Sequence, residues 1–222
     1  GQASHCDHGC SGCRRLEDNL EITTDTVICP GTYTITDDND PIGVALIKAD
    51  NVTLDGNGVS VIGGHERCSG RAVNSEGYDN IVVKDFTIEN FFIGINIRDG
   101  INGQIFRNTV DSCTAGIRLW GSKDSSIHNN LTTGCTEYGI LLTQNATGNT
   151  VDNNTMVGNA IGFGSVYSSS GFLTNSILWD NATQIRIGFS NFAADSQIQV
   201  RYCDIEGGLA GVSVDSGSTL DW

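Results

Sequence analysis

The amino-acid sequence predicts an all-β fold: a single-domain right-handed parallel β-helix of about seven turns with a disulfide-stapled cap at its N-terminus. Three observations predict this fold. A short phrase recurs every 22 or 23 residues, apolar residues alternate with polar ones inside each repeat, and the N-terminal segment is rich in cysteine. The phrase is glycine, an apolar residue, a variable residue and a second apolar residue, and its glycines are Gly94, Gly116, Gly139 and Gly162.

The alternation has a period of two over only a few residues, which indicates short strands rather than helices. A repeat of about 22 residues with three such strands indicates a coil that stacks on itself, with equivalent side chains about 4.8 Å apart along the axis. Leucine-rich repeats have a similar length, but their LxxLxL phrase is missing. The predicted inward columns are Leu54, Val83, Ile105, Ile127, Val151 and Leu173; Val59, Ile88, Val110, Thr132, Met156 and Leu178; and Val44, Val73, Ile95, Ile117, Ile140, Phe163, Ile185 and Val212.

Asparagines also recur in step with the repeat, three residues after an inward apolar position, at Asn57, Asn108, Asn130 and Asn154. Asparagine tolerates the left-handed conformation of sharp turns, and stacked side-chain amides can hydrogen-bond to one another. The column therefore predicts a partial asparagine ladder, and the alternative is that asparagine is simply a common turn residue.

The chain divides into an N-terminal cysteine-rich cap with entry strands, residues 1–41, and the parallel β-helix, residues 42–222. Cys6, Cys10 and Cys13 lie in the stretch SHCDHGCSGC. A disulfide-stapled cap would cover the open first turn, whose backbone groups are otherwise unpaired. Cysteine and histidine at this density could also bind zinc, so a metal site is the alternative.

Cys113 and Cys135 lie 22 residues apart and occupy the same column of successive turns. Stacked positions place Cα atoms at a distance that a disulfide accepts, so we predict a disulfide between these turns. A buried column of unbonded cysteines is the alternative. Cys29, Cys68 and Cys203 are expected to pair within the remaining set, although spacing does not give the connectivity.

The composition limits the cellular location and the binding partners that we expect for this protein. The formal net charge is −14, so duplex nucleic acid is not expected to bind the domain as a whole. No apolar run approaches the length of a transmembrane helix. Eight cysteines and several Asn-x-Ser/Thr sequons predict an extracellular or cell-surface protein.

Two stretches carry a family resemblance: ADNVTLDGNGVSVIGG, residues 49–64, and DNIVVKDFTIENFFIGINIRDG, residues 79–100. They resemble the parallel β-helix repeats of the pectin-lyase-like superfamily, and NSILWDN and YCDIEGGLAGVSV resemble repeats of large bacterial or archaeal surface proteins. The resemblance implies the β-helix fold over roughly residues 42–215. It implies little about activity, because members of the superfamily range from lyases to inert stalks.

One face of the coil is unusually basic for so acidic a chain. Alternation in the glycine-containing strand directs several side chains outward, three of them arginines. Arginine forks bind carboxylates and an aromatic ring supports a sugar, so this face is a candidate site for an acidic polysaccharide. The alternative is a solvated face whose arginines pair with local carboxylates. The candidate glycan-binding residues are Asn96, Arg98, Arg118, Trp120 and Arg186.

No convergent catalytic set is visible in the sequence. Lyases and epimerases need a neutralising group, a base and an acid in one groove, and glycoside hydrolases need paired carboxylates. The candidates to test first are Arg98, Arg118 and His128, with His128 aligned on a different face beside Lys84, Phe106 and Asp152. No cofactor is expected, although Asp37, Asp38 and Asp40 could offer oxygen ligands to calcium if they are not simply a solvated acidic loop.

Two hypotheses about function follow. The first is a secreted or cell-surface structural or adhesive β-helix that associates with itself, end to end in fibres, or with other surface proteins. The second is a module that binds or cleaves acidic polysaccharide in the manner of a lyase or epimerase.

Overall fold

The computed structural model describes residues 12–36, 43–64, 70–189 and 195–222. These residues form 25 short strands, and their one helical segment is the 3₁₀ turn Gly208–Gly211. The predicted all-β architecture is therefore confirmed. No helix among the described residues has the length and apolar character needed to cross a bilayer.

The strands, numbered in chain order, have the following bounds. The first twelve are β1 Cys13–Arg14, β2 Leu20–Ile22, β3 Thr26–Ile28, β4 Thr32–Ile35, β5 Ala45–Ile47, β6 Thr53–Gly63, β7 Arg71–Glu76, β8 Val82–Glu89, β9 Ile93–Arg98, β10 Gln104–Phe106, β11 Thr109–Asp111 and β12 Ala115–Trp120. The others are β13 Ser126–His128, β14 Leu131–Thr133, β15 Tyr138–Thr143, β16 Asn149–Asp152, β17 Thr155–Val157, β18 Ile161–Ser165, β19 Ser170–Thr174, β20 Ile177–Trp179, β21 Thr183–Ile187, β22 Gln197–Arg201, β23 Asp204–Ile205, β24 Val212–Val214 and β25 Thr219–Asp221.

All strand pairs are parallel and join neighbouring turns of the coil. One sheet of nine strands has the order β2-β5-β7-β9-β12-β15-β18-β21-β24, and a larger sheet holds the remaining strands in two stacks that meet at β6 and β8. The coil has about eight turns, compared with about seven predicted. The additional stacking begins at β2, which pairs with β5.

The strand register confirms that residues about 22 positions apart are vertical neighbours. Ile105 pairs with Ile127, and the first predicted column runs unbroken from Leu54 to Leu173. Two column members were wrong. Val61, not Val59, lies beside Ile88, because the register shifts between Asp55 and Val59. Ala45, not Val44, lies beside Val73.

The recurring glycine has a steric cause. A Cβ atom on Gly116 would lie 2.5 Å from the carbonyl oxygen of Gly139, and one on Gly94 would lie 2.6 Å from that of Gly116. Successive turns thus approach too closely at this corner for any side chain. The phrase recurs because each turn meets the same backbone on the next turn.

Most inward columns are aliphatic, and an asparagine ladder closes one corner of the coil. The Asn108 and Asn130 side chains each donate a 3.0 Å hydrogen bond to the amide oxygen one turn further on, and the Asn154 backbone N–H donates to Ser176 Oγ. The predicted ladder is present, but Asn57 is not part of it. Asn57 is exposed, and its backbone N–H donates to Asp55.

A disulfide joins Cys13 and Cys29 at the N-terminal end, with their Cα atoms 4.9 Å apart. It ties β1 to the segment that follows β3, so the predicted stapling of this end is confirmed for this pair. Cys113 and Cys135 are both buried, and the Sγ of each lies within 3.5 Å of the carbonyl oxygen two residues earlier. Their predicted disulfide stays a prediction. Cys203 is partly buried, and Cys6, Cys10 and Cys68 lie outside the described residues.

Candidate functional site

The basic face predicted from the sequence lies on the outer side of the nine-stranded sheet. Strands β7, β9 and β12 belong to consecutive turns, so their outward side chains stack in two columns. One column contains Asn74, Asn96 and Arg118, and the other contains Glu76, Arg98 and Trp120. We call these residues, together with Arg71 at the start of β7, the arginine face.

Arg118 lies on β12, the last of the three turns that form the arginine face. Its Nε donates a 2.8 Å hydrogen bond to Asn96 Oδ1, and its guanidinium carbon lies 5.2 Å from the centre of the Trp120 ring. Among the described residues, no carboxylate lies within 4 Å of this guanidinium, which is half-buried. Arg118 therefore has no ion pair among the described residues, and Glu76 and Glu137 act on its charge only from a distance.

The other two arginines of the face each have a carboxylate partner. Arg71 contacts Glu76 at 2.8 Å, and Arg98 contacts Asp99 at 3.2 Å. Burial and the like charges of Arg71 and Arg98 lower the pKa of the Arg118 guanidinium to about 10. A pKa lowered by burial and by like charges is a feature that many functional sites share.

Trp120 is half-buried between two cations. The guanidinium carbon of Arg98 lies 5.5 Å from its ring centre, a distance similar to that of Arg118. The ring therefore supports both guanidiniums through cation–π contacts. Asn96, a predicted glycan contact, has no exposed surface, and it holds Arg118 from beneath instead.

Arg186 lies in the same outward column but is separated from Arg118 by two turns. The intervening surface holds a small apolar cluster of Tyr138, Leu141 and Val166. Arg186 contacts Asp215 at 3.5 Å, and its guanidinium lies 5.1 Å from the Phe189 ring centre. The structure thus brings Arg98, Arg118 and Trp120 together but leaves Arg186 in a separate environment.

His128 lies on the larger sheet, where it pairs with Phe106 and Asp152 in register. Its ring stacks on that of Phe106 with centroids 4.9 Å apart, and Asn129 Nδ2 lies 2.8 Å from its Nδ1. The three candidate catalytic residues therefore do not meet at one place. Arg98 and Arg118 share a face from which His128 is absent.

The sequence reasoning missed a charged network on the larger sheet. Lys84 contacts both Asp55 and Asp85, and Arg107 binds Asp85 through two hydrogen bonds of 2.6 and 2.7 Å. The hydrogen bonds from Arg107 hold the pKa of the Asp85 carboxyl below its usual value, and the one to Asp55 raises the pKa of Lys84. The alignment of Asp55 with Lys84 on successive turns was the sequence signal that could have revealed this network. Every charge here has a partner, which indicates a stabilising network rather than an anion site.

No metal centre is visible in the described ranges. They contain no group of three or more histidine, cysteine, aspartate or glutamate residues placed to hold an ion. Asp37, Asp38 and Asp40, the calcium candidates, lie outside those ranges, as do Cys6 and Cys10 of the alternative zinc site. Both sites stay predictions.

Several solved structures share this architecture at low sequence identity. The catalytic domain of a GH87 alpha-1,3-glucanase in complex with nigerose aligns with a TM-score of 0.66 at 18% identity, over 85% of this chain and 38% of that one. DFA-IIIase from Arthrobacter chlorophenolicus A6 in complex with GF2 aligns with a TM-score of 0.60 at 12% identity, over 90% and 67% of the two chains. The periplasmic alginate epimerase AlgG aligns with a TM-score of 0.58 at 12% identity, over 94% and 64%.

At such identities the likeness establishes the fold alone, and the chain spans little more than a third of the glucanase domain. A comparison with curated protein sequences finds no significant match. The family model described as the right handed beta helix region matches residues 32–177, which is more than half of the chain. The protein therefore belongs to the right-handed β-helix family.

Proposed function

We propose that this protein binds an acidic polysaccharide on the arginine face, outside the cytoplasm. The observation that carries the proposal is Arg118, a half-buried guanidinium with no carboxylate partner among the described residues. A partly buried charge without a direct counter-ion is unfavourable, so the carboxylate of a bound sugar would stabilise the Arg118 guanidinium.

The surroundings of Arg118 suit a chain of acidic sugars. A guanidinium fork binds a carboxylate through two parallel hydrogen bonds. Arg71, Arg98 and Arg118 occur on three consecutive turns at three different positions along their strands, so the three guanidiniums are spread across the face. Trp120 adds an apolar surface between two of these cations.

The comparisons support a glycan as the ligand, and one of the three structures belongs to an enzyme of an acidic glycan. The similar structures include a glucanase with nigerose, DFA-IIIase with GF2 and an alginate epimerase, all of which are proteins that act on glycans. The disulfide between Cys13 and Cys29 fits an oxidising compartment, which is where extracellular polysaccharide is met.

Isothermal titration calorimetry tests this proposal. Oligomers of mannuronate, guluronate and galacturonate, together with a sulfated glycan, are compared with a neutral alpha-glucan of similar length. We expect binding to at least one acidic oligomer and none to the neutral one. Loss of about 2 kcal/mol of contact energy at a contact arginine weakens binding about 30-fold, so Arg118→Gln and Trp120→Ala should each show a loss of this order.

Arg107→Gln is the matched control, because Arg107 also lies over an aromatic ring but directly follows β10 of the larger sheet. It should leave the affinity unchanged. Absence of binding to every acidic oligomer, or equal binding by the wild type and Arg118→Gln, would overturn the proposal. Unsaturated or epimerised products in the same incubations would extend the proposed function from binding to lyase or epimerase chemistry.

The alternative structural or adhesive role, with end-to-end fibres, stays a prediction based on the regular coil. Light scattering over a range of protein concentrations tests it. A growing particle mass would favour fibres, and a constant monomer mass would exclude them.

A further inference from the structure

Two buried amides connect Arg118 to Glu76, the carboxylate included in the arginine face. Arg118 Nε donates to Asn96 Oδ1 at 2.8 Å, and Asn96 Nδ2 donates to Asn74 Oδ1 at 2.7 Å. Asn74 Nδ2 lies 3.5 Å from Glu76 Oε1, which also accepts from Arg71 Nη1 at 2.8 Å. Asn74 and Asn96 are both buried beneath the arginine side chains.

Chemistry sets the direction of this chain of hydrogen bonds. A guanidinium only donates, so the oxygen of the Asn96 amide has to face Arg118. The Asn96 NH₂ group then faces Asn74, whose oxygen has to accept, and the Asn74 NH₂ group is left facing the Glu76 carboxylate. Both amides are therefore held in one orientation by the charges at the two ends.

The position that contacts Arg118 is occupied by an uncharged acceptor. Arg98 shows the contrast, because its Nε contacts the Asp99 carboxylate at 3.2 Å and its charge is balanced there. An aspartate in place of Asn96 would balance Arg118 in the same way. Asn96 orients the guanidinium without cancelling its charge.

We propose that Asn96 is a positioning residue, which orients the Arg118 guanidinium and leaves its charge available to an anionic ligand. Since Nε is occupied by Asn96, a ligand carboxylate has to bind end-on, across Nη1 and Nη2, and not side-on across Nε and one Nη. The site thus selects a planar carboxylate that approaches the guanidinium from its Nη1 and Nη2 end. This inference rests on the proposed function and specifies how the ligand is held.

The test compares Asn96→Asp with Gln104→Glu. Both substitutions change an amide to an acid, but Gln104 is exposed on the larger sheet, on the strand that follows β9. Calorimetry with the best acidic oligomer should give at least a tenfold loss of affinity for Asn96→Asp and less than a twofold change for Gln104→Glu. Asn96→Ser, which keeps a neutral acceptor, should retain more affinity than Asn96→Asp, and thermal melting verifies that each variant is folded.

A second measurement uses the wild-type protein and does not depend on any variant being stable. In ¹H–¹⁵N NMR spectra of the arginine side chains, with the Arg118 signals assigned by their loss in Arg118→Gln, the Nε–H signal should move little on binding while the Nη signals move and sharpen. Nε shifting as much as Nη would overturn the end-on geometry.

The outcomes separate this inference from the proposed function. If the wild type binds no acidic oligomer, the proposed function fails. If Arg118→Gln loses binding but folded Asn96→Asp binds like the wild type, Asn96 does not keep the charge available, and the proposed function stands without this inference.

Discussion

The close approach of successive turns at Gly116 gives a sharp test of the fold. Gly116→Ala places a Cβ atom 2.5 Å from the Gly139 carbonyl oxygen and 3.3 Å from both Cys135 Sγ and Thr132 Cγ2. The Cβ needs about 0.9 Å more room to reach the ordinary contact distance of 3.4 Å. Backbone atoms face it on the next turn, so the turns themselves have to separate.

The cost follows from the hydrogen bonds that join the two turns at this corner. The backbone N–H groups of Thr136, Glu137 and Tyr138 donate to the carbonyls of Cys113 and Thr114 at 2.9 to 3.2 Å. A separation of the turns by the required amount would stretch them to about 3.8 Å or more, where little of each bond remains. Three bonds at about 1 kcal/mol each give a destabilisation of about 3 kcal/mol.

For a chain of this length, a loss of about 3 kcal/mol lowers Tm by roughly 6–12 °C. Differential scanning calorimetry measures this loss directly. Gly103→Ala is the matched control: its Cβ would meet nothing closer than Ser125 Oγ at 3.4 Å, and its φ is not positive. Equal melting temperatures for the wild type and Gly116→Ala would refute the stacking of turns at this corner.

Three further predictions test other parts of the molecule. Asn130→Leu leaves the Asn108 backbone N–H and the Ile105 carbonyl without their asparagine partner. We expect the free energy of unfolding, measured in urea, to fall by about 2–6 kcal/mol. The control Gln104→Leu, on the exposed surface, should change it little. Asp85→Asn loses about 1 kcal/mol at pH 7. The pKa of Asp85 is lowered in the folded state, so the stability that the ionised carboxylate contributes is present above the unfolded pKa and is lost as pH falls. The difference in unfolding free energy between Asp85→Asn and the wild type should therefore vanish well below pH 4. A difference that stays constant with pH would contradict the ion-pair network. Non-reducing peptide mapping of the oxidised protein should yield a linked peptide containing Cys113 and Cys135, and separate peptides under those conditions would exclude that disulfide.

Periodicity was enough to predict which residues stack. Ile105 and Ile127 are vertical neighbours because a coil of constant circumference returns to the same place after a constant number of residues. The prediction failed where the circumference changes locally. The irregularity after Asp55 moves Val61 into the position expected for Val59, and no repeat marks it.

The candidate site was predicted only in part. Alternation correctly directed Arg98, Arg118 and Trp120 to one outer face, since the strand period is two. It could not show that Asn96 is buried beneath Arg118, or that Tyr138 and Leu141 separate Arg186 from the others. Those facts depend on the directions of long side chains, which the backbone period does not specify.

The sequence by itself therefore determined the coil, its columns and the face on which the arginines appear, because these follow from a repeat length and from strand alternation. The tertiary structure decided which charges remain available. Arg71 and Arg98 form ion pairs with carboxylates, whereas Arg118 contacts the neutral oxygen of Asn96 and the Trp120 ring and forms no ion pair among the described residues. Charge balance is a property of distances of a few ångströms between side chains on different turns, and a pattern along the chain does not contain those distances.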